Sequence, residues 1–140
     1  MTGALFGLSL LGLAGPLEVI GEDDEARFEV DFSRAVRDQD IVSLTLHMTP
    51  KADRGYAVAH ADIRVDCAAQ TFTFTAFRNF DGAGAPLRSA EVPVERRRAE
   101  PIYEAPVWGD LYQRVCPGGT LQPAPPPPPP PVSVPPERRR

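Results

Sequence analysis

The sequence predicts an α+β domain in which an antiparallel sheet carries one C-terminal helix on its apolar face. Apolar and polar residues alternate along most of the chain, and the one clear helical periodicity lies near its end. One cysteine lies in the apolar phase of a predicted strand, and a second ends the predicted helix. Together these observations favour two layers, with the other face of the sheet polar and open to water.

A period of two marks the first three predicted strands. The first begins at Leu17 and Val19, before an acidic turn at residues 22–25. The apolar face of the second is predicted to hold Phe28, Val30 and Phe32. Residues 33–40 are polar and are expected to turn the chain. The apolar residues of the third strand are Val42, Leu44, Leu46 and Met48, and the polar ones are Ser43, Thr45 and His47.

The next two strands are the clearest in the sequence. One phase of the fourth contains Ala57, Ala59, Ala61, Ile63, Val65 and Cys67. In the fifth, Phe72, Phe74 and Ala76 are predicted to point inward. Phe77 and Phe80 break this phase, which indicates a twist or bulge near the strand end. A turn at residues 81–84 then leads to an edge strand over 87–94, limited by Pro93.

A helix is predicted after Pro106, which suits the first helical position. The spacing i, i+3, i+4, i+7 is held by Trp108, Leu111, Tyr112 and Val115. If Cys67 and Cys116 pair, this helix must lie across the apolar face. The bond would close about 50 residues and add roughly 4 kcal/mol in the chain-entropy model. In a cytosolic protein, two isolated cysteines would more often stay unpaired in the core.

The chain is predicted to have three parts: a signal-like segment at 1–14, a domain at 17–116 and a proline-rich tail at 117–140. Residues 4–13 carry no charge, are too few to span a bilayer, and match the hydrophobic region of a secretory signal. No lysine or arginine precedes them, so a first buried strand or helix is the alternative. Seven consecutive prolines at 125–131 favour an extended spacer, or a docking motif for an aromatic groove.

The candidate binding residues are four arginines near the predicted edge strand: Arg88, Arg96, Arg97 and Arg98. They suit a sulfated or phosphorylated polyanion, or else form a solvated loop. A metal site at His60, Asp62 and Asp66 is conceivable, but it would need ligands from adjacent strands. No metal, cofactor or catalytic set is predicted. The net charge of −4 over 140 residues argues against nucleic-acid binding.

Three stretches resemble the surface-adhesin protein E family of bacterial envelope proteins. They are FEVDFSRAVRDQDIV (28–42), RVDCAAQTFTFTAFRNFDGAGAPL (64–87) and PIYEAPVWGDLYQRVC (101–116). The resemblance implies a six-stranded antiparallel sheet, a C-terminal helix, a disulfide joining the two, export, and a role in attachment. The chain departs from the family in its proline tail, in the loop at 50–56 and in having no lipid-anchoring cysteine.

The sequence therefore predicts an exported, non-enzymatic protein of the periplasm or cell surface that acts by binding. The expected partners are a host matrix protein, a glycan or an envelope component. The alternative is a structural periplasmic module whose polyproline tail acts as a spacer. No transmembrane span and no nucleic-acid partner are expected, and the sequence leaves the oligomeric state open.

Overall fold

A computed structural model describes residues 15–133 of the chain. The predicted signal-like segment and the last seven residues lie outside this range. Eight strands and one helix are present in the described part. They are β1 (Glu18–Glu22), β2 (Ala26–Val30), β3 (Val36–Asp38), β4 (Ile41–Pro50), β5 (Val58–Asp66), β6 (Thr71–Phe80), β7 (Pro86–Glu91), β8 (Glu100–Pro101) and α1 (Trp108–Val115).

The sheet is antiparallel throughout, and six strands form its main path in the order β1-β2-β4-β5-β6-β7. The two short strands extend its sides. β3 pairs with the first residues of β4, in line with β2, and β8 pairs with the start of β6, in line with β7. Each side of the sheet is therefore interrupted by a loop. The predicted α+β class, with one C-terminal helix, is confirmed.

The hydrophobic core lies between the sheet and α1. Alternation in β4 and β5 buries one phase of each strand, as predicted. The buried residues of these strands are Val42, Leu44, Leu46, Ala59, Ala61, Ile63 and Val65. The helix buries Leu111, Tyr112 and Val115 against them, which is the stripe that its periodicity predicts.

A disulfide between Cys67 and Cys116 joins the end of β5 to the end of α1, with the two Cα atoms 5.5 Å apart. The predicted pairing is thus confirmed. The Tyr112 hydroxyl, on the last turns of the helix, donates a hydrogen bond to the carbonyl oxygen of Cys67 at 3.0 Å. The bond and the buried tyrosine together hold the helix on the apolar face.

The alternation predicts that Phe32 continues β2, but the strand ends at Val30 because the chain turns at Asp31. One carboxylate oxygen of Asp31 accepts hydrogen bonds from the amide and the hydroxyl of Ser33, at 3.0 and 2.5 Å. These bonds start a short 3-10 turn, Phe32–Arg34. The Phe32 ring still packs against the core from this turn.

The predicted break of phase in β6 is a β-bulge, but it lies in the middle of the strand. Asp62 pairs with Ala76 while Ile63 pairs with Phe74, so that Thr75 is the extra residue. The bulge moves Ala76 to the polar face and returns Phe77 to the apolar one. The prediction that Ala76 points inward is therefore wrong.

Three boundaries differ from the predicted ones. The edge strand β7 ends at Glu91. The helix begins at Trp108, because Val107 adopts a left-handed backbone with φ of 71° that interrupts the first turn after Pro106. Packing continues past Cys116: Leu121 is buried, and Pro123 forms a bridge with Glu104. The exposed tail begins only after this bridge.

Candidate functional site

The predicted arginine cluster lies at the interruption between β7 and β8, and the structure divides it between the two faces of the sheet. Arg97 is half-buried and donates from Nε to the carbonyl oxygen of Val92 at 3.0 Å, which holds its guanidinium on the polar face. Arg96 and Arg98 are exposed and line a groove on the opposite face. Arg88, also exposed, lies on β7 opposite Asn79. The four arginines do not converge on one site.

On the polar face, Arg97 lies with Arg64 of β5, and together they line two adjoining depressions of about 480 and 360 Å³. We call this the Arg64–Arg97 pocket. Between the arginines, its floor consists of the outward side chains of β4 and β6. These are mainly hydroxyl residues, namely Ser43, Thr45, Thr71, Thr73 and Thr75.

The two connecting segments that interrupt the sides of the sheet, between β2 and β3 and between β7 and β8, both contribute to this pocket. The turn between β2 and β3 brings in Arg34 from one side, and the loop between β7 and β8 brings in Arg97 from the other. Arg64 comes from the central strand between them. The irregular segments thus deliver cations to a surface whose regular strands supply hydroxyl groups.

The charge balance in the pocket favours an anion. Within residues 15–133, neither Arg64 nor Arg97 forms an ion pair, whereas Arg34 lies 3.6 Å from a carboxylate oxygen of Asp31.

Two carboxylates also line the pocket, Asp62 and Asp66. One oxygen of Asp66 accepts hydrogen bonds from two backbone amides of the following turn, and Asp62 is paired with an arginine. The guanidinium of Arg78 donates to both oxygens of Asp62, at 2.6 and 2.8 Å.

Those hydrogen bonds hold the pKa of Asp62 below its ordinary value, and they outweigh the effect of partial burial. The Thr45 hydroxyl adds a third donor at 2.7 Å. Two guanidinium groups without carboxylate partners above a row of hydroxyls can bind sulfate, phosphate or carboxylate groups through charge-assisted hydrogen bonds.

The conceivable metal site at His60, Asp62 and Asp66 does not form, because both carboxylates have other partners. Asp62 binds Arg78, and Asp66 accepts hydrogen bonds from the amides of the following turn at 2.9 and 3.0 Å. In the part of the chain that the structure describes, no group of three or more histidine, cysteine or acidic side chains is placed to hold a metal ion.

His60 instead lies directly opposite His47 on β4, with the ring centroids 4.0 Å apart. Partial burial lowers the pKa of His60 to about 4, assisted by the neighbouring His47 and Arg78. Burial also lowers the pKa of His47, against the opposing charges of Glu29 and Asp31. Both imidazoles are therefore neutral at pH 7.

The sequence contained a signal for this pairing that the prediction did not use. His47 and His60 both lie in polar phases, seven and six residues from the middle of the loop at 51–57 that joins their strands. A nearly symmetric hairpin would place them opposite each other. Ser43, by contrast, lies four residues from His47 on one strand, about 13 Å away, so these two residues do not form a nucleophile–base pair.

On the apolar face, an aromatic groove that the sequence did not predict lies at the start of α1. The Trp108 ring stacks on Phe72 with centroids 3.9 Å apart, and Phe74 contacts Trp108 edge-on. Arg96 and Arg98 line this groove of about 510 Å³. Glu100 is also in its lining, so the groove holds two arginines and one carboxylate.

Comparison with known proteins finds no matching family model, no similar curated protein and no similar solved structure. Among residues 15–133, no helix has the length and apolar character needed to cross a bilayer.

Proposed function

We propose that the protein is an exported, non-enzymatic binding protein of the bacterial envelope, related to the surface-adhesin protein E family. It attaches to an anionic surface ligand through the Arg64–Arg97 pocket. The observation that carries this proposal is the pair of guanidinium groups, free of carboxylate partners in the described chain, above the hydroxyl floor of a rigid sheet. The disulfide between helix and sheet supports the exported location, because such bonds persist in oxidising compartments.

The ligand class follows from the donors in the pocket. Guanidinium groups bind sulfate, phosphate and carboxylate in a planar, bidentate manner, and hydroxyl groups complete the hydrogen bonding of the remaining oxygens. The pocket is formed by two adjoining open depressions along the strands, which suits one unit of an extended polymer. A sulfated or carboxylated glycan, on a matrix protein or on another surface, has the required chemistry.

The test compares two double variants that remove the same charge from opposite faces. Arg64→Ala/Arg97→Ala removes the pocket, and Arg96→Ala/Arg98→Ala is the matched control at the aromatic groove. Binding of the purified full chain to immobilised heparin, and to its desulfated form, is measured by surface plasmon resonance. We expect the pocket variant to bind heparin at least tenfold more weakly, since each charge-assisted hydrogen bond contributes about 1.5–3 kcal/mol.

The control variant should retain wild-type affinity within a factor of about two, and desulfation should abolish binding. Equal losses in the two variants would show that only net charge matters, and would overturn the pocket as the binding site. If neither heparin nor a carboxylated polysaccharide such as alginate binds the wild-type chain, the adhesive function is refuted.

The exposed tail supports a second candidate, a structural periplasmic module. Residues 124–133 are exposed along their whole length, and seven prolines span about 22 Å as a polyproline II rod. Under this alternative, deletion of residues 125–140 would alter the protein's localisation in its host, while the pocket variant would have no effect there. Under the leading proposal, the pocket variant would alter the protein's localisation and the tail deletion would have no effect on it.

A further inference from the structure

The second feature of the polar face is the histidine pair, and its position is set by the strands that carry it. His47 and His60 are cross-strand partners in the pairing of β4 with β5, which extends over eight residue pairs. The next pair along the strands is Leu46 and Ala61, both fully buried. Because the inward residues cannot shift register without leaving the core, the two histidine Cβ atoms are held about 4.5–5.5 Å apart.

The two rings are available to a ligand. Both side chains are half-exposed, and the hydrogen bonds that Thr45 and Arg78 donate on this face all go to Asp62. None of the described hydrogen bonds involves either imidazole, so each neutral ring keeps a nitrogen lone pair free. A metal ion with nitrogen bonds near 2.0 Å requires two nitrogens about 3 Å apart, and the ring centroids, now 4.0 Å apart, are close to that spacing.

The surroundings favour a cation. The two histidines line a cavity of about 420 Å³, and the only charged side chains in its lining are Glu29 and Asp81. Glu29 lies on β2, directly opposite His47, and one of its oxygens also pairs with Arg27 at 3.2 Å. The nearby Arg78 guanidinium opposes a cation, as its effect on the pKa of both histidines shows, but its two bonds to Asp62 offset part of its charge. The cavity leaves room for the water molecules that would complete the coordination of an ion.

From this geometry we propose that His47 and His60 form a binding site for a divalent transition-metal ion, with Cu²⁺ bound most tightly. Two imidazole nitrogens supply the protein ligands, and water supplies the rest. Imidazole suits Cu²⁺, Ni²⁺ and Zn²⁺, and the stability order of divalent ions places Cu²⁺ first. The site is separate from the Arg64–Arg97 pocket and does not depend on the function proposed for it.

The test uses the fact that the chain contains only these two histidines. Untagged full chain is titrated with Cu²⁺ by calorimetry, and the complex is examined by electron paramagnetic resonance. We expect one Cu²⁺ per chain, with hyperfine coupling to two imidazole nitrogens. His47→Gln and His60→Gln should each weaken binding at least tenfold and reduce the coupling to one nitrogen. Circular dichroism checks that both variants remain folded.

A relocation control separates chelation from the mere presence of two histidines. The double variant His47→Gln/Ser43→His keeps two histidines on the polar face, but moves one of them about 13 Å along the strand. It should bind Cu²⁺ no better than the single variant His47→Gln. The proposal is overturned if this double variant binds as tightly as the wild type, or if the chain lacking both histidines does so.

Discussion

The two faces of the sheet are completed in different ways, although the same strands build both. On the apolar face, α1 covers the core and a disulfide fixes it in place. On the polar face, no element of the described chain lies over the central strands, and the Arg64–Arg97 pocket and the histidine pair are open to solvent. Alternation therefore places the buried core and the proposed binding sites on opposite sides of the same strands. β5 illustrates this, since Ile63 is buried on one face and Arg64 is exposed on the other.

Substitutions on the apolar face, which α1 covers (the closed face), should lower stability without directly altering the proposed ligand sites. Substitutions on the polar face (the open face) should weaken ligand binding and leave stability largely unchanged. Side chains that are already buried in the core have few exposed atoms with which to contact a partner. A region with unpaired guanidinium groups and free imidazole nitrogens keeps its binding capacity because nothing covers it. The following experiments test whether stability depends mainly on the closed face.

The largest effect is expected from removing the disulfide. The variant Cys67→Ala/Cys116→Ala should lose about 4 kcal/mol of unfolding free energy, because the unfolded chain regains the freedom of a loop that spans 49 positions. Urea unfolding followed by Trp108 fluorescence measures this loss. Wild-type protein in reductant is the control and should match the variant, which itself should not respond to reductant. Equal urea midpoints for variant and oxidised wild type would contradict the role given to the bond.

A smaller loss is expected from a cavity under the helix. Leu111 is fully buried on α1, so Leu111→Ala should cost about 3 kcal/mol. The matched control is Leu87→Ala on β7, where the side chain is 53% exposed and the cost should stay within about 0.5 kcal/mol. Urea unfolding compares the two. Similar losses at both positions would show that the apolar face is not closed where the helix covers it.

Periodicity was sufficient to predict the closed face but not the sites on the open one. Alternation identified the buried phases of β4 and β5 because burial on one side leaves a strict period of two. The same reasoning placed Cys67 in the apolar phase and Cys116 at the end of a helix, and hence predicted the bond. The short strands β3 and β8 were missed because their three and two residues, all exposed, leave no periodic pattern.

The candidate sites depend on loop conformation and strand register, which leave no periodic pattern in the sequence. Arg97 reaches the polar face, while Arg96 and Arg98 reach the other, because of backbone turns between β7 and β8. The sequence showed that arginines cluster there, but not how the loop divides them. The pairing of His47 with His60 depends on register, which a single strand pattern does not specify.

Acid should affect the open face through the histidine pair, to a lesser extent than either change above. The pKa of His60 is about 4 in the folded chain and near 6.5 when unfolded. As pH falls from 6.5 to 4, the unfolded state takes up a proton that the folded state does not, so stability falls. After allowance for solvent screening at this half-exposed site, we expect a loss of about 1 kcal/mol.

His60→Gln should flatten this dependence, as measured by urea unfolding at pH 7.0, 5.5 and 4.5 in the presence of EDTA. Glu95→Gln, at an exposed position away from the pair, should keep the wild-type slope. The titratable and charged groups that face His60 are His47, Arg78 and Asp62. His47, whose pKa is also lowered by burial, adds to the loss of stability in acid. An unchanged slope in His60→Gln would show that the imidazoles titrate normally.

The smallest effect on stability is expected from deleting the tail. This deletion also tests where packing on the domain ends. Deleting residues 125–140 removes only side chains that are exposed where described, so stability should change by less than about 0.5 kcal/mol. The contrasting deletion of residues 120–140 removes buried Leu121 and the backbone acceptors of Gln70 and Glu104. It should cost about 2 kcal/mol. Urea midpoints of the two truncated chains decide the point: if the shorter deletion already lowers stability by 1 kcal/mol or more, the tail beyond Pro123 packs on the domain.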